Sequence, residues 1–198
     1  MRLVKVLGAV LVVVLAFSAV AVSSASASSF IGSNTGLLSI KGDGGQLFVT
    51  PVGGIFCTTL TGHGFVTATI QLSQLATVLY SGCTTPIGTV DQPIPARYLF
   101  LADGGLVHVE APIVITILIT GLACTVTVPP QGGLETSAFD NELITAARKA
   151  VLVLGTVSNI ESSDVGAVCP VKYTSNKTGK YTGNALVEEV GGSVEWAK

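Results

Sequence analysis

Pro112-Ile113-Val114-Ile115-Thr116-Ile117-Leu118-Ile119-Thr120-Gly121-Leu122-Ala123-Cys124-Thr125-Val126-Thr127-Val128 runs for 17 residues without a charge. Such apolarity invites a membrane span, which needs about 20 apolar residues in a helix. The details argue for strands. Thr116, Thr120, Gly121, Thr125 and Thr127 interrupt the run, and most of the rest is β-branched. Branched side chains are stiff at χ1 and pack well on a pleated surface. The stretch therefore reads as two buried strands, Ile113 to Leu118 and Leu122 to Val128, on either side of Gly121.

Further strand signals appear outward from this stretch. Upstream, Phe65 to Leu72 alternates larger apolar residues with Thr and Gln, the signature of a half-buried strand. Gln46 to Thr50, Phe56 to Thr61 and Leu75 to Ser81 are further short strands, separated by Gly44-Gly45, Pro51, Gly62-His63-Gly64 and Gly82. Arg97 to Leu101 and Leu106 to Glu110 flank Ala102-Asp103-Gly104-Gly105. Asp-Gly supplies the positive φ of a tight turn, so this is the firmest hairpin signal. Downstream, Pro129 to Gly133 reads as a crossover loop. Asp140 to Ala150 fits either a helix capped by Asp140 or a hairpin around Arg148-Lys149, and the hairpin is preferred. Val157 to Ile160, Val168 to Tyr173, Lys180 to Val187 and Ser193 to Trp196 complete about twelve strands. This many short strands with Gly-rich turns predict an all-β fold, an antiparallel sandwich or a partly closed barrel.

The N-terminus reads as an address. Arg2 and Lys5 precede an apolar run from Val6, and Ala25-Ser26-Ala27 fits the small-x-small cleavage rule. Residues 1–27 are thus expected to be a secretory signal peptide, helical before cleavage. Residues 28–36 are expected to be a flexible arm, and residues 37–198 a single β domain. No integral membrane span is expected after cleavage. Loss of Arg2 and Lys5 from the 10 basic residues moves the net charge from −2 to −4. With no basic excess, a nucleic-acid partner is not expected.

Export also fixes the reading of Cys57, Cys83, Cys124 and Cys169, because an even number of cysteines in an oxidising compartment defaults to disulfides. Three pairings are open. Cys57–Cys83 with Cys124–Cys169 is preferred, since sequence neighbours usually neighbour in space. Each bridge is worth roughly 3–4 kcal/mol by loop-closure entropy. No C-x-x-C occurs and the chain has 2 histidines, so no metal and no cofactor are expected.

Several short motifs together have a familiar look: Tyr80-Ser81-Gly82-Cys83-Thr84, Leu122-Ala123-Cys124-Thr125-Val126-Thr127, Val168-Cys169-Pro170 and Gly179-Lys180-Tyr181-Thr182-Gly183. With the leading signal they resemble the small secreted four-cysteine β proteins of high-GC Gram-positive actinobacteria. The resemblance implies an exported, disulfide-bonded β domain and brings no catalytic residue with it.

Candidate chemistry is sparse. There is no Gly-x-Ser-x-Gly, and only His63 and His108 could serve a nucleophile as base. His63 sits between glycines as an exposed turn residue would. His108 alternates with Val107 and Val109 and so faces away from them, sharing a face with Glu110. His108 with Glu110 is the candidate polar pair if the chain is a hydrolase. Two carboxylates for glycoside hydrolysis would come from Asp103, Glu110, Glu135, Asp140 and Glu142. Trp196 reads as closing a terminal strand onto the core rather than as a sugar platform. Gly42-Asp43-Gly44-Gly45 lacks the Lys-Ser/Thr of a phosphate loop. Thr84 to Pro95, with Pro86, Pro93 and Pro95 beside Cys83, would be the inhibitory loop of a protease inhibitor.

The balance favours a non-catalytic module, secreted or held at the cell envelope, acting by binding, adhesion or surface structure. Its expected partner is a cell-wall polymer or another surface protein. Strand addition near the Asp103 hairpin or the C-terminal strands is the expected mode.

Overall fold

The computed structural model describes residues 27–135, 138–146 and 148–198. The expected signal segment, with Ala25, lies outside them, and Ala27 stands exposed at their margin. The described residues form β1 (Ser29–Gly32), β2 (Gly36–Thr50), β3 (Gly53–Val66), β4 (Ile70–Gln71), β5 (Ser73–Thr85), β6 (Gly88–Val90), β7 (Ile94–Leu101), β8 (Leu106–Val109), β9 (Ile113–Ile119), β10 (Leu122–Val128), β11 (Gln131–Glu135), β12 (Ala138–Thr145), β13 (Arg148–Val165), β14 (Asn176–Glu189) and β15 (Val194–Ala197). No helix among the described residues is long and apolar enough to cross a membrane.

The charge-free stretch is a hairpin. Ile119 faces Leu122 across the two-residue turn Thr120-Gly121, whose φ angles of 52° and 83° are those of a twist-matched tight turn. Ile113, Ile115 and Ile117 on β9 and Cys124, Val126 and Val128 on β10 point into the core, while Val114 and Leu118 are exposed. Only one face of each strand is thus buried. Asp140 to Ala150 is also strand on both sides, with Glu142 opposite Ala150.

Every strand pairing described is antiparallel, and the main sheet closes on itself at one level. There the ring runs β2, β3, β5, β6, β9, β10, β13, β14 and back to β2, each neighbour laddered to the next. At the other level the wall runs β14, β2, β3, β5, β7, β8 and β11. Its last step, from β11 back to β13, has no backbone ladder. The fold is therefore a partly closed barrel whose five shared strands serve both levels.

This sharing explains why the strands are longer than the turn signals suggested. β13 spans 18 residues and β2 spans 15. The Gly42–Gly45 and Gly62–Gly64 clusters lie inside β2 and β3 instead of ending them. A Cβ on Gly62 would fall 2.5 Å from the Thr77 carbonyl oxygen. Glycine here permits close approach of a neighbouring strand, not a turn.

Strands β5 and β13 each change partners along one edge, and a glutamine fills the gap. On β5, pairing with β7 stops at Tyr80 and pairing with β6 starts at Thr84. Between them the Gln92 carboxamide takes the Cys83 N–H (2.9 Å) and reaches its carbonyl (3.5 Å). On β13, pairing with β12 stops at Leu154 and pairing with β10 starts at Ser163. There Gln131 accepts from the Glu161 N–H (2.9 Å) and donates to the Glu161 carbonyl (3.0 Å). Gln131 stands at the start of β11, so its side chain closes the seam the ladder leaves open. The sequence placed it in a loop; Gln131–Glu135 is instead a strand paired with β8.

A three-stranded sheet, β15-β1-β4, caps the barrel. Residues 28–36, expected as a flexible arm, supply its middle strand. Phe30 is buried edge-to-face against Phe139 at 5.2 Å. Beyond it the buried Glu189 carboxylate accepts from the Ser33 N–H (2.9 Å), the Ser33 hydroxyl (3.1 Å) and the Asn34 N–H (3.1 Å). Apolar burial and backbone capture thus order the segment. Trp196 packs on Phe139 and donates its indole N–H to the Ala102 carbonyl, fixing the terminal strand as expected.

Both disulfides adopt the preferred pairing. Cys57–Cys83 staples β3 to β5 and Cys124–Cys169 ties β10 to the β13–β14 connection. Two such bridges fit an oxidising, extracellular environment.

Gln131→Ala leaves the Glu161 N–H and C=O without their seam partner. It is expected to lower unfolding stability by about 2 kcal/mol in a urea titration. A loss below about 0.5 kcal/mol, typical of a surface change, would show that the seam does not depend on this amide.

Candidate functional site

The barrel level closed by the Gln131 seam holds a cavity of about 90 Å³. Alternation places its walls. Ala76, Val78 and Tyr80 on β5, Val107 and Val109 on β8, and Val153 and Val157 on β13 all point inward. The lining is almost wholly apolar, and its polar exceptions are Gln74, Tyr80, Tyr98 and Tyr181.

Three of these exceptions, the tyrosines, cluster together. The Tyr98 and Tyr80 hydroxyls lie 3.0 Å apart. The Tyr80 and Tyr181 rings meet edge-to-face at 6.3 Å, and Tyr181 donates to Gln46 Oε1. Gln46 is fully buried at the point where the β2–β3 register shifts. Its Nε2 donates to the Gly44 carbonyl (3.1 Å) and the Asn184 carbonyl (3.0 Å). Phe48 packs edge-to-face on Tyr80 at 5.0 Å and tilted on Tyr181 at 4.9 Å.

Room for this cluster comes from a glycine pair. Gly155 on β13 faces Gly183 on β14. A Cβ at Gly183 would collide with Gln46 Oε1, and one at Gly155 would fall 2.9 Å from the Tyr181 ring. The space a pair of side chains would fill is given to Tyr181 and Gln46.

Burial is the first cause of the tyrosines' altered acidity. It pushes Tyr181 up to about 12 and raises Tyr80 and Tyr98 further. The hydroxyls thus stay protonated at any physiological pH, as hydrogen-bonding groups.

The residues singled out from sequence lie elsewhere. His108 does face away from Val107 and Val109, half-buried on the outer side of β8. Its ring packs where a Cβ on Gly132 would sit, 3.2 Å from Nε2. Glu110 follows β8, exposed, and its N–H donates to the Arg97 carbonyl. Neither lines the barrel cavity. His63 is exposed as expected, but inside β3 and beside Phe65, not in a turn.

Asp103, Glu110, Glu135, Asp140 and Glu142 are all exposed and spread over β11, β12 and the ends of β7 and β8. Thr84 to Pro95 is not a projecting loop. Its residues enter β5, β6 and β7, and Gln92 is clamped to Cys83. Among the described residues one group of three potential metal ligands gathers, Cys124, Asp164 and Cys169, and its cysteines are joined as a disulfide.

The sequence placed Tyr80 in a strand, Leu75 to Ser81. It could not mark Tyr98, Tyr181 and Gln46 as its partners, because that depends on register between strands far apart in the chain. Compared with protein-family models, with curated proteins and with solved structures, the chain matches none.

The acidity of the tyrosines makes a pH dependence measurable. The 4 tyrosines of the chain are all raised above 10. In the unfolded chain they ionise near 10, so above that pH the unfolded state releases protons that the folded state keeps. Stability from Tyr181 is therefore complete below pH 10 and is lost as pH rises from 10 to about 12. Ultraviolet titration of native protein is expected to find Tyr80, Tyr98 and Tyr181 still protonated at pH 10, with Tyr173, the least buried of the four, ionising first. A full-amplitude step there would refute the burial of the cluster.

Proposed function

We propose that this chain is an exported, non-catalytic β module that acts by binding, and that its ligand is a small apolar molecule held inside the barrel. The cavity of about 90 Å³ carries the reading. An empty apolar cavity costs about 24 cal/mol per Å³, hence about 2 kcal/mol here. That is a sizeable share of the 5–15 kcal/mol by which a domain is stable. A ligand that fills the space recovers that cost. The groups around it, apolar side chains and neutral hydroxyls, suit retention of a molecule.

Strand addition to a cell-wall protein has less to support it. The β7–β8 hairpin already lies between β5 and β11. The C-terminal strand β15 pairs with β1 on one side. On the other, Asn141 takes both the Trp196 N–H and carbonyl at 2.7 Å. Both edges that the sequence offered to a partner are filled. The two disulfides support export.

Titration calorimetry with cyclopentane tests the proposal. Wild type is expected to bind one molecule with a negative heat-capacity change, the mark of apolar burial. Ala76→Leu, which extends a side chain into the cavity, is expected to weaken binding at least about tenfold. No heat with wild type, or equal affinity in the filled variant, would contradict it.

A further inference from the structure

Four chain connections gather at the end of the barrel where the ring is closed. Residues 51–52 join β2 to β3, 86–87 join β5 to β6, 120–121 join β9 to β10, and 166–175 join β13 to β14. The registers bring all four to the same end. Residues 44–90 and 111–134 contain no Asp, Glu, Lys or Arg, so the arc from β2 round to β10 reaches that end almost without charge. Asp91 is set back from the turns, its N–H on the Thr116 carbonyl. Apolar side chains stand outward instead. Val49, Phe56, Leu118, Leu122, Val165 and Val171 are all exposed, Leu122 by 57% and Val165 by 74%. They form a girdle around the barrel end, of the kind that marks a contact with a partner or a membrane. Both disulfides stand at this end, and Cys124–Cys169 ties to β10 the connection that carries Val171. The girdle is thus ordered before it meets anything.

Charge is sorted around the girdle. Lys172, Lys177 and Lys180 are exposed on its β13–β14 side, with Lys180 directly opposite Val49. Two acidic residues share that side. Glu161 pairs with Lys177 at 3.7 Å. Asp164 turns inward, one oxygen taking the Tyr173 N–H at 2.6 Å and the other covered. Among the described residues Lys172 and Lys180 have no ion-pair partner. Asp103, Glu135, Glu142, Glu188 and Glu195 belong to the far end. We propose that the ring-closed end docks on the surface of an anionic lipid bilayer, the girdle dipping into the headgroup boundary and the lysines meeting the headgroups. Interfacial burial of this kind reaches about 5–10 Å, or about three residues of each strand. Lipid accepts only backbone whose N–H and C=O groups are paired. The ring is laddered all round at this level, whereas the far level lacks the step from β11 to β13. The far end also exposes Phe65, Ile70 and Leu72, but its carboxylates would face the anionic headgroups. A second copy of the chain fits the girdle less well, because a two-fold contact would set unpaired lysines of one copy near those of the other.

Vesicle cosedimentation tests this independently of the cavity. All the described strands lie within residues 28–198, so the chain from Ser28 is used, which keeps the apolar N-terminal run out of the readout. At low salt it is expected to bind vesicles of equal parts phosphatidylcholine and phosphatidylglycerol at least about tenfold more strongly than phosphatidylcholine alone, since each basic residue near an anionic surface adds about fivefold. Lys172→Gln with Lys180→Gln is expected to remove that preference. Leu122→Asp with Val165→Asp is expected to weaken binding at least about tenfold, with the fold checked by circular dichroism. Ile70→Asp with Leu72→Asp, at the far end, is expected to leave binding unchanged. No binding of the unaltered chain to the anionic vesicles, or an equal loss from the far-end pair, would overturn the proposal. So would a dimer in sedimentation velocity that Leu122→Asp with Val165→Asp splits, because the girdle would then be a contact between copies.

Discussion

A backbone N–H or C=O buried without a partner costs about 1–3 kcal/mol, and this barrel is shaped by where its ladders run out. Long strands shared by two levels of a barrel must exchange one neighbour for another. At each exchange a stretch of edge faces no strand. Gln92 fills the gap on β5 and Gln131 the gap on β13, each by offering one carboxamide as a one-residue strand. Asn141 does the same for Trp196 on the free side of β15. Glu189 captures the turn after β1 with a carboxylate that takes three hydrogen bonds. Without these side chains the sheet could pair its strands but could not close.

Closure in turn creates the interior. Between the wall of β7, β8 and β11 and the shared strands, the inward side chains leave a cavity of about 90 Å³. The Gly155–Gly183 pair widens it at the tyrosines. The polar groups admitted there are neutral and mutually satisfied, which is the condition on which a buried polar network is stable. The scarcity of charge in the sequence has the same origin. With 11% charged residues, the outward positions of many strands carry Thr, and few charged groups were available to enter the core.

Much of this was legible in the residues. The β-branched run Ile113 to Val128 and the stretch Leu75 to Ser81 read as strands, since strand preference is a local property of the chain, but the inward face of each did not show. Asp103-Gly104 marked its hairpin, and sequence proximity gave the disulfides. Two kinds of residue misled. Gly62 and Gly64 look like turn punctuation, yet they serve the close passage of β5. Ser29 to Gly32 looks like a loose polar arm, yet Phe30 anchors it. The amides were silent. Nothing near Gln92, Gln131 or Asn141 in the chain distinguishes a solvated loop residue from one that replaces a strand, because the partner is set by topology. The same holds for Tyr80, Tyr98 and Tyr181, which three separate strands bring together.

The central claim is that carboxamides complete the sheet where backbone pairing stops. Native-state hydrogen exchange at Cys83, Glu161 and Trp196 tests it most directly, because side-chain amides hold these three N–H groups. If the claim is right, they exchange as slowly as their laddered neighbours in β5, β13 and β15. Exchange as fast as that of the exposed Asp103-Gly104 turn would contradict it, and would mean that the barrel is open at its seams.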